Sequence, residues 1–176
     1  MKILIAYASQ NGTVADCARR LQEQLKNIDV TLADLAKQTP DASQYDIVIT
    51  GSSVRFGKLL KAERAFLQEQ KAALLQRPLA LFLCCGYAHE YEYYREKLFP
   101  KELTRHAYQS LYFGGSLKKE GLGFFDKIAV KAIRSSIIGS EIDDGEYTPS
   151  LPAILPENIE ILATYTRLEI AKLLNK

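Results

Sequence analysis

What this 176-residue chain lacks narrows what it can do. No apolar run approaches the roughly 20 residues that a membrane-spanning helix needs, and Lys2 follows Met1 without an apolar leader, so a cytoplasmic protein is expected. Three cysteines, Cys17, Cys84 and Cys85, are an odd number with no C-x-x-C pair; they read as small buried hydrophobes rather than as a disulfide framework. His89 and His106 have no cysteine or histidine at ligand spacing, so no metal site is expected. Neither G-x-x-x-x-G-K-[ST] nor G-x-G-x-x-G occurs, which removes the P-loop and the dinucleotide fingerprint. Spacing supports no Ser/His/Asp arrangement. Excess charge is also missing: the net charge is +2, with 47% hydrophobic and 25% charged residues, an ordinary globular profile that fits one domain over residues 1–176.

What is present begins at the N-terminus. Ile3 to Tyr7 is apolar without alternation, as in a strand covered on both faces. The turn Ser9-Gln10-Asn11-Gly12-Thr13 then offers two hydroxyls, two side-chain amides and one glycine. Val14, Cys17, Ala18, Leu21 and Leu25 follow at helical spacing. A helix starting there points unpaired N–H groups and the positive end of its dipole into the turn, which suits a phosphate monoester. An ordinary strand-to-helix turn capped by Thr13 or Asn11 is the alternative.

Further strands are predicted at Val30–Leu35, Tyr45–Gly51, Leu79–Cys85 and Ala107–Phe113. Between them lies a helix with Phe66, Leu67, Gln70 and Leu74 inward. A final helix from about residue 157 to 174 is predicted to present Leu162, Tyr165, Leu168, Ala171 and Leu174 on one face. Strand–helix alternation predicts an α/β three-layer sandwich around a five-stranded parallel sheet of order 2-1-3-4-5. Ligands then sit at the C-terminal edge, near strands one and three. Insertions are expected at about 86–106, rich in tyrosine, and 116–156, with a helix over 124–138 and an acidic loop from Glu141 to Glu146. A phosphoacceptor receiver shares this strand order but needs an aspartate ending strand three, where Gly51-Ser52 stands.

Three loops converge on that edge. Besides the first turn, Ser52 to Lys58 supplies hydroxyls, Arg55, Phe56 and Gly57, and Cys85-Gly86-Tyr87 with Tyr91, Tyr93 and Tyr94 supplies aromatic faces. Together they suit a planar ring such as a flavin's isoalloxazine. Alternatively, the tyrosines pack as an amphipathic surface loop.

Ser9-x-Asn11-Gly12-x resembles the phosphate loop of flavodoxins, Ser/Thr-x-Thr-Gly-x-Thr. Asn11 and Val14 depart from that pattern, and Thr13 offers a neighbouring hydroxyl. Gly51-Ser52-Ser53-Val54-Arg55-Phe56-Gly57 is similar to a Gly-Ala-Ser-Ile-Arg-Tyr-Gly segment of the flavodoxin-type protoporphyrinogen dehydrogenases that reduce menaquinone. Gly114-Gly115-Ser116-Leu117, Phe125-Asp126-Lys127 and Gly139-Ser140-Glu141-Ile142-Asp143 extend the likeness past the fifth strand. The resemblance implies a flavodoxin-like fold, FMN as cofactor, and transfer of two electrons from a porphyrinogen to a quinone, a step of haem biosynthesis. It assigns Ser9, Gln10, Asn11, Gly12, Thr13 and Val14 to the phosphate. Ser53, Val54, Arg55, Phe56, Gly57, Cys85, Gly86 and Tyr87 frame the ring, with Arg55 near N1/C2 or near a substrate carboxylate. No acid or base is named, and no nucleic-acid partner is expected.

Two further readings stay open. Single-electron carriers of the family are usually strongly acidic, which a net charge of +2 does not match; a carrier, or a module that has lost its cofactor, is the alternative to an enzyme. Lys127, Lys131 and Arg134, with Lys118 and Lys119 upstream, form a basic stripe in the segment 118–138. It could meet the inner face of an anionic membrane as a peripheral contact, greet tetrapyrrole propionates, or simply be solvated.

Overall fold

The computed structural model describes residues 1–85, 91–115 and 154–175. Five strands pair in parallel in the order β2-β1-β3-β5-β6: β1 (Lys2–Ala8), β2 (Asp29–Asp34), β3 (Ile47–Arg55), β5 (Leu79–Cys84) and β6 (Gln109–Tyr112). A short β4 (Lys58–Leu59) folds back antiparallel on the end of β3. With β4 set aside, this is the expected 2-1-3-4-5 order.

Helices cover both faces, which is why the central strands read as unbroken apolar runs. On one face α1 (Thr13–Gln24) and α6 (Pro156–Leu174) bring Val14, Cys17, Leu21 and Leu162 into the cluster of Ile3, Ile5, Ile47 and Ile49. On the other, α2 (Lys61–Glu69), α3 (Lys71–Leu74) and α5 (Lys101–His106) bring Phe66, Leu67, Leu74 and Leu103 to Leu4, Val48 and Leu81. Phe82 stacks on Phe113 with centroids 4.7 Å apart, a geometry worth about 1 kcal/mol beyond the area buried.

Gln70 interrupts the predicted second helix, and its carboxamide oxygen accepts from Ala42 N–H at 3.0 Å. The segment at about 86–106, expected as an insertion, holds α4 (Tyr91–Leu98) and α5 in its described part. These supply the crossover that the parallel neighbours β5 and β6 require. His106 has a structural contact here, its Nε2 lying 2.7 Å from the Arg77 carbonyl. The predicted helix 124–138, its basic stripe and the acidic loop lie outside the described residues.

The predicted inner face of the last helix is corrected. Ile159, Leu162, Ala163 and Thr166 are buried, whereas Tyr165, Leu168 and Leu174 are exposed. Residues three apart turn about 300° on a helix, so a stripe read every third residue drifts about 60° per step; the buried residues instead lie three and four apart, 159 with 162 and 163, and 166 with 162 and 163.

Candidate functional site

The register brings three strand ends to one edge: Ala8 on β1 pairs with Ser52 on β3, and Ser53 pairs with Cys84 on β5. The chain leaves β1 at Ser9 and enters α1 at Thr13, with Gly12 as N-cap in the left-handed region, φ 80°. Glycine suits that conformation because it has no Cβ to clash. No side chain caps this helix; Thr13 and Asn11 do not serve as the alternative reading required. The Asp16 N–H bonds back to Gly12 O at 2.9 Å, and the N–H groups of Thr13, Val14 and Ala15 precede that first bond.

Ser9 opens the same turn, and its Oγ is buried and has no hydrogen-bond partner among the described residues. Buried hydroxyls nearly always find one, so this orphan near an uncapped helix start is an anomaly of the turn. No charged residue lies between Ser9 and Ala15, and the nearest carboxylate, Asp16, is engaged by Arg19 at 2.6 Å. Within the turn itself, attraction for an anion therefore comes from backbone dipoles. Gln10 and Asn11 are exposed and Thr13 is half-buried, while Val14 is fully buried in the core and offers the turn its N–H alone.

The second predicted loop is not a loop along most of its length. β3 continues through Ser53, Val54 and Arg55, and Arg55 pairs with Lys58 across a two-residue turn. Phe56 and Gly57 in that turn both have positive φ, 49° and 68°, as a type I′ hairpin demands. A phenylalanine there is strained; the residue is 69% exposed, with the Arg55 guanidinium 5.6 Å from its ring centroid. This arm is fastened behind: Ser52 Oγ accepts from the Leu60 N–H at 3.2 Å, and Gly51 lies so close to Phe82 that an added Cβ would meet it at 2.5 Å.

Of the third loop, Cys85 is buried, its N–H donating to Gly114 O at 3.1 Å and its carbonyl accepting from Tyr112 Oη at 2.6 Å. Burial holds the Tyr112 phenol above its ordinary pKa. Gly86 and Tyr87 lie outside the described residues. Cys84 and Cys17 sit beneath the site with their sulfurs 3.8 Å apart. The hydrogen bond from Cys84 lowers the Cys17 pKa, and the same bond, ahead of burial, raises that of Cys84.

Two residues tied to this edge escape a sequence reading. Tyr112 reaches it from β6 only through the pairing of β5 with β6, which no local pattern announces. Glu63 is fully buried in α2. Its signal is its position on the inward stripe 63, 66, 67, 70, 74, where a charged residue would ordinarily be assigned to solvent.

Among the described residues, no helix is long and apolar enough to cross a membrane. Protoporphyrinogen IX dehydrogenase [quinone] of Escherichia coli (strain K12) is 29% identical over 86 residues, which cover 47% of this chain and 47% of that protein. The chain thus spans about half the length of the curated relatives it matches. In solved structures, the fold is similar to a Fusobacterium nucleatum flavodoxin bound to flavin mononucleotide (TM-score 0.53, 12% identity, covering 96% of this chain and 98% of that one). It is also similar to a flavodoxin from the domain Archaea (TM-score 0.52, 17% identity, covering 77% and 98%). A profile of the flavodoxin domain matches residues 4–142, and with the strand order and uncapped first turn already in view, the chain belongs to the flavodoxin domain family.

Proposed function

We propose that this edge binds FMN and that the protein is an FMN-dependent oxidoreductase, passing two electrons from a porphyrinogen-class substrate to a quinone. The uncapped start of α1 carries the reading, because a phosphate ester would take its unpaired N–H groups, and rotation of the Ser9 side chain would bring the orphaned hydroxyl to the same ester. Ser9, Thr13 and the N–H groups of Gly12, Thr13, Val14 and Ala15 would hold the phosphate, with Gln10 and Asn11 at its solvent side. Ser53 to Gly57 and Cys85 to Tyr87 would frame the ring, the exposed Phe56 supplying an apolar face and Arg55 a positive charge for the ring edge or a substrate carboxylate. When bound, FMN supplies hydride acceptance and onward electron transfer. The segment Gly51 to Gly57 and the partial identity with the protoporphyrinogen dehydrogenase support the choice of substrate and acceptor.

The test has two steps. Purified protein is titrated with FMN and its absorbance followed; a colourless protein that leaves FMN unbound overturns the cofactor assignment. Loaded protein is then given protoporphyrinogen with and without menadione, and porphyrin fluorescence is recorded. Menadione-dependent fluorescence is the expected result. Flavin reduction in single-electron steps, with no porphyrin formed, would indicate a carrier for a protein partner.

A further inference from the structure

Glu63 is an anomaly the proposed chemistry does not use. It is the third residue of α2, is 0% exposed, and accepts from Thr50 Oγ1 at 2.9 Å through Oε1, while Oε2 is buried without a partner among the described residues. A glutamate at this helix position ordinarily reaches back to the N-cap N–H. Here that N–H, of Leu60, is already taken by Ser52 Oγ. The carboxyl turns instead to the sheet, where Thr50 is flanked in register by Ala6 and Leu81, both fully buried.

Charges on the neighbouring elements do not relieve it. β1 carries Lys2 at its far end, β3 Arg55 in the outer arm, β4 Lys58, α3 Lys71 paired to Glu102, and α2 itself the outward Lys61, Arg64 and Glu69; β5 carries none. Burial raises the Glu63 pKa to about 8, opposed by the Thr50 hydrogen bond alone. At neutral pH it therefore stands mostly as the uncharged acid.

We propose that Glu63 is a positioning residue whose proton latches the segment 52–60 to the sheet: protonated, it lets the first turn of α2 lie flat on Thr50, and ionised, it drives that turn and the attached hairpin outward. Two hydrogen bonds couple the parts, Thr50 to Glu63 and Leu60 to Ser52, so release of α2 frees the strand end carrying Arg55 and Phe56. The consequence for a bound ring rests on the FMN reading; the latch itself does not.

The folded-state pKa lies above the unfolded value of 4.5, so this stability is full below about pH 4.5 and is lost as pH rises to about 8. Over that window the folded-to-unfolded ratio should fall roughly tenfold per pH unit relative to Glu63→Gln, then run parallel to it.

Urea unfolding of cofactor-free protein from pH 5 to 9 measures this difference. Hydrogen exchange at amides 52–60, corrected for intrinsic rate, should show local opening above about pH 8 in the native protein and not in Glu63→Gln. Thr50→Val removes the bond that holds the pKa down and should move the transition to higher pH, a readout that survives if Glu63→Gln folds poorly. Parallel pH curves for native protein and Glu63→Gln, or amides 52–60 opening only with global unfolding, would overturn the latch. FMN affinity at pH 6 and 9 supplies the last arm: weakening at pH 9 in the native protein alone supports coupling to the ring frame. FMN that fails to bind at either pH, with the apo-protein difference intact, sinks the cofactor reading and leaves the latch standing.

Discussion

The turn after β1 and the arm after β3 meet at one sheet edge yet are built oppositely. Among the described residues the turn leaves polar groups without partners, an orphaned Ser9 hydroxyl and a helix start with no side-chain cap, and its own sequence from Ser9 to Ala15 carries no charge. The arm is fastened at several points, through Gly51 against Phe82, Ser52 on Leu60 and Thr50 on Glu63, and it ends in an exposed, strained phenylalanine. The difference separates two demands. An anion site must hold unsatisfied donors until its ligand arrives, and a surface that lies against a planar ring must keep its shape beforehand.

The largest effect should come from loosening the fastened side. Gly51→Val places methyl groups where even a Cβ would stand 2.5 Å from the Phe82 ring and backbone, so β3 and β5 must shift apart. Overpacking of this kind costs about 1–3 kcal/mol, and here the upper end is expected because backbone as well as ring is in the way. Urea unfolding measures it, and an unchanged midpoint would show the arm to be less tightly held than the contact implies.

The unsatisfied side predicts the reverse pattern. Ser9→Ala removes an orphaned hydroxyl, so the apo protein should be as stable as before or slightly more so, while FMN affinity falls roughly 10- to 100-fold, the worth of one hydrogen bond to a charged group. Equal losses of stability and affinity would mean that the serine supports the fold rather than the ligand.

The two sides also differ in how far the sequence discloses them. The turn was legible because its signal is local: an apolar strand, five polar residues, then an apolar stripe at helical spacing. The buried strands were legible for a related reason, as apolar runs, and their alternation with helices points to the doubly wound order that the sheet shows. The arm's hairpin is hidden in the sequence because it lacks the Asn-Gly or Asp-Gly that usually marks a type I′ turn, Phe56 occupying a left-handed position that bulky residues avoid. Glu63 escaped because a charge on an inward stripe is assigned to solvent by default; only the packed sheet beneath shows where it points. On α6 a period of three in the sequence points to a different face from the one that the 3.6-residue turn buries.

A smaller effect tests the third strand end. Tyr112→Phe deletes the donor to the Cys85 carbonyl at 2.6 Å and should cost about 1 kcal/mol of stability, with a similar loss in FMN affinity if that carbonyl faces the ring. Loss of stability alone would assign the bond to the scaffold.

The smallest effect bears most directly on the contrast between the two regions. Phe56 has φ 49° with its ring largely exposed, so the folded chain carries both backbone strain and an unburied aromatic. Asparagine tolerates the left-handed region far better, and Phe56→Asn should stabilise the apo protein by roughly 0.5 kcal/mol. If the ring is kept for a ligand, the same change should weaken FMN binding several-fold, because a stacked aromatic contributes about 1 kcal/mol that asparagine cannot. Stability and affinity then move in opposite directions at the arm's tip, as at Ser9, although the rest of the arm couples them. A gain in stability with no loss in affinity would remove Phe56 from the ring frame and leave Arg55 and the backbone of Ser53 and Val54 to form it.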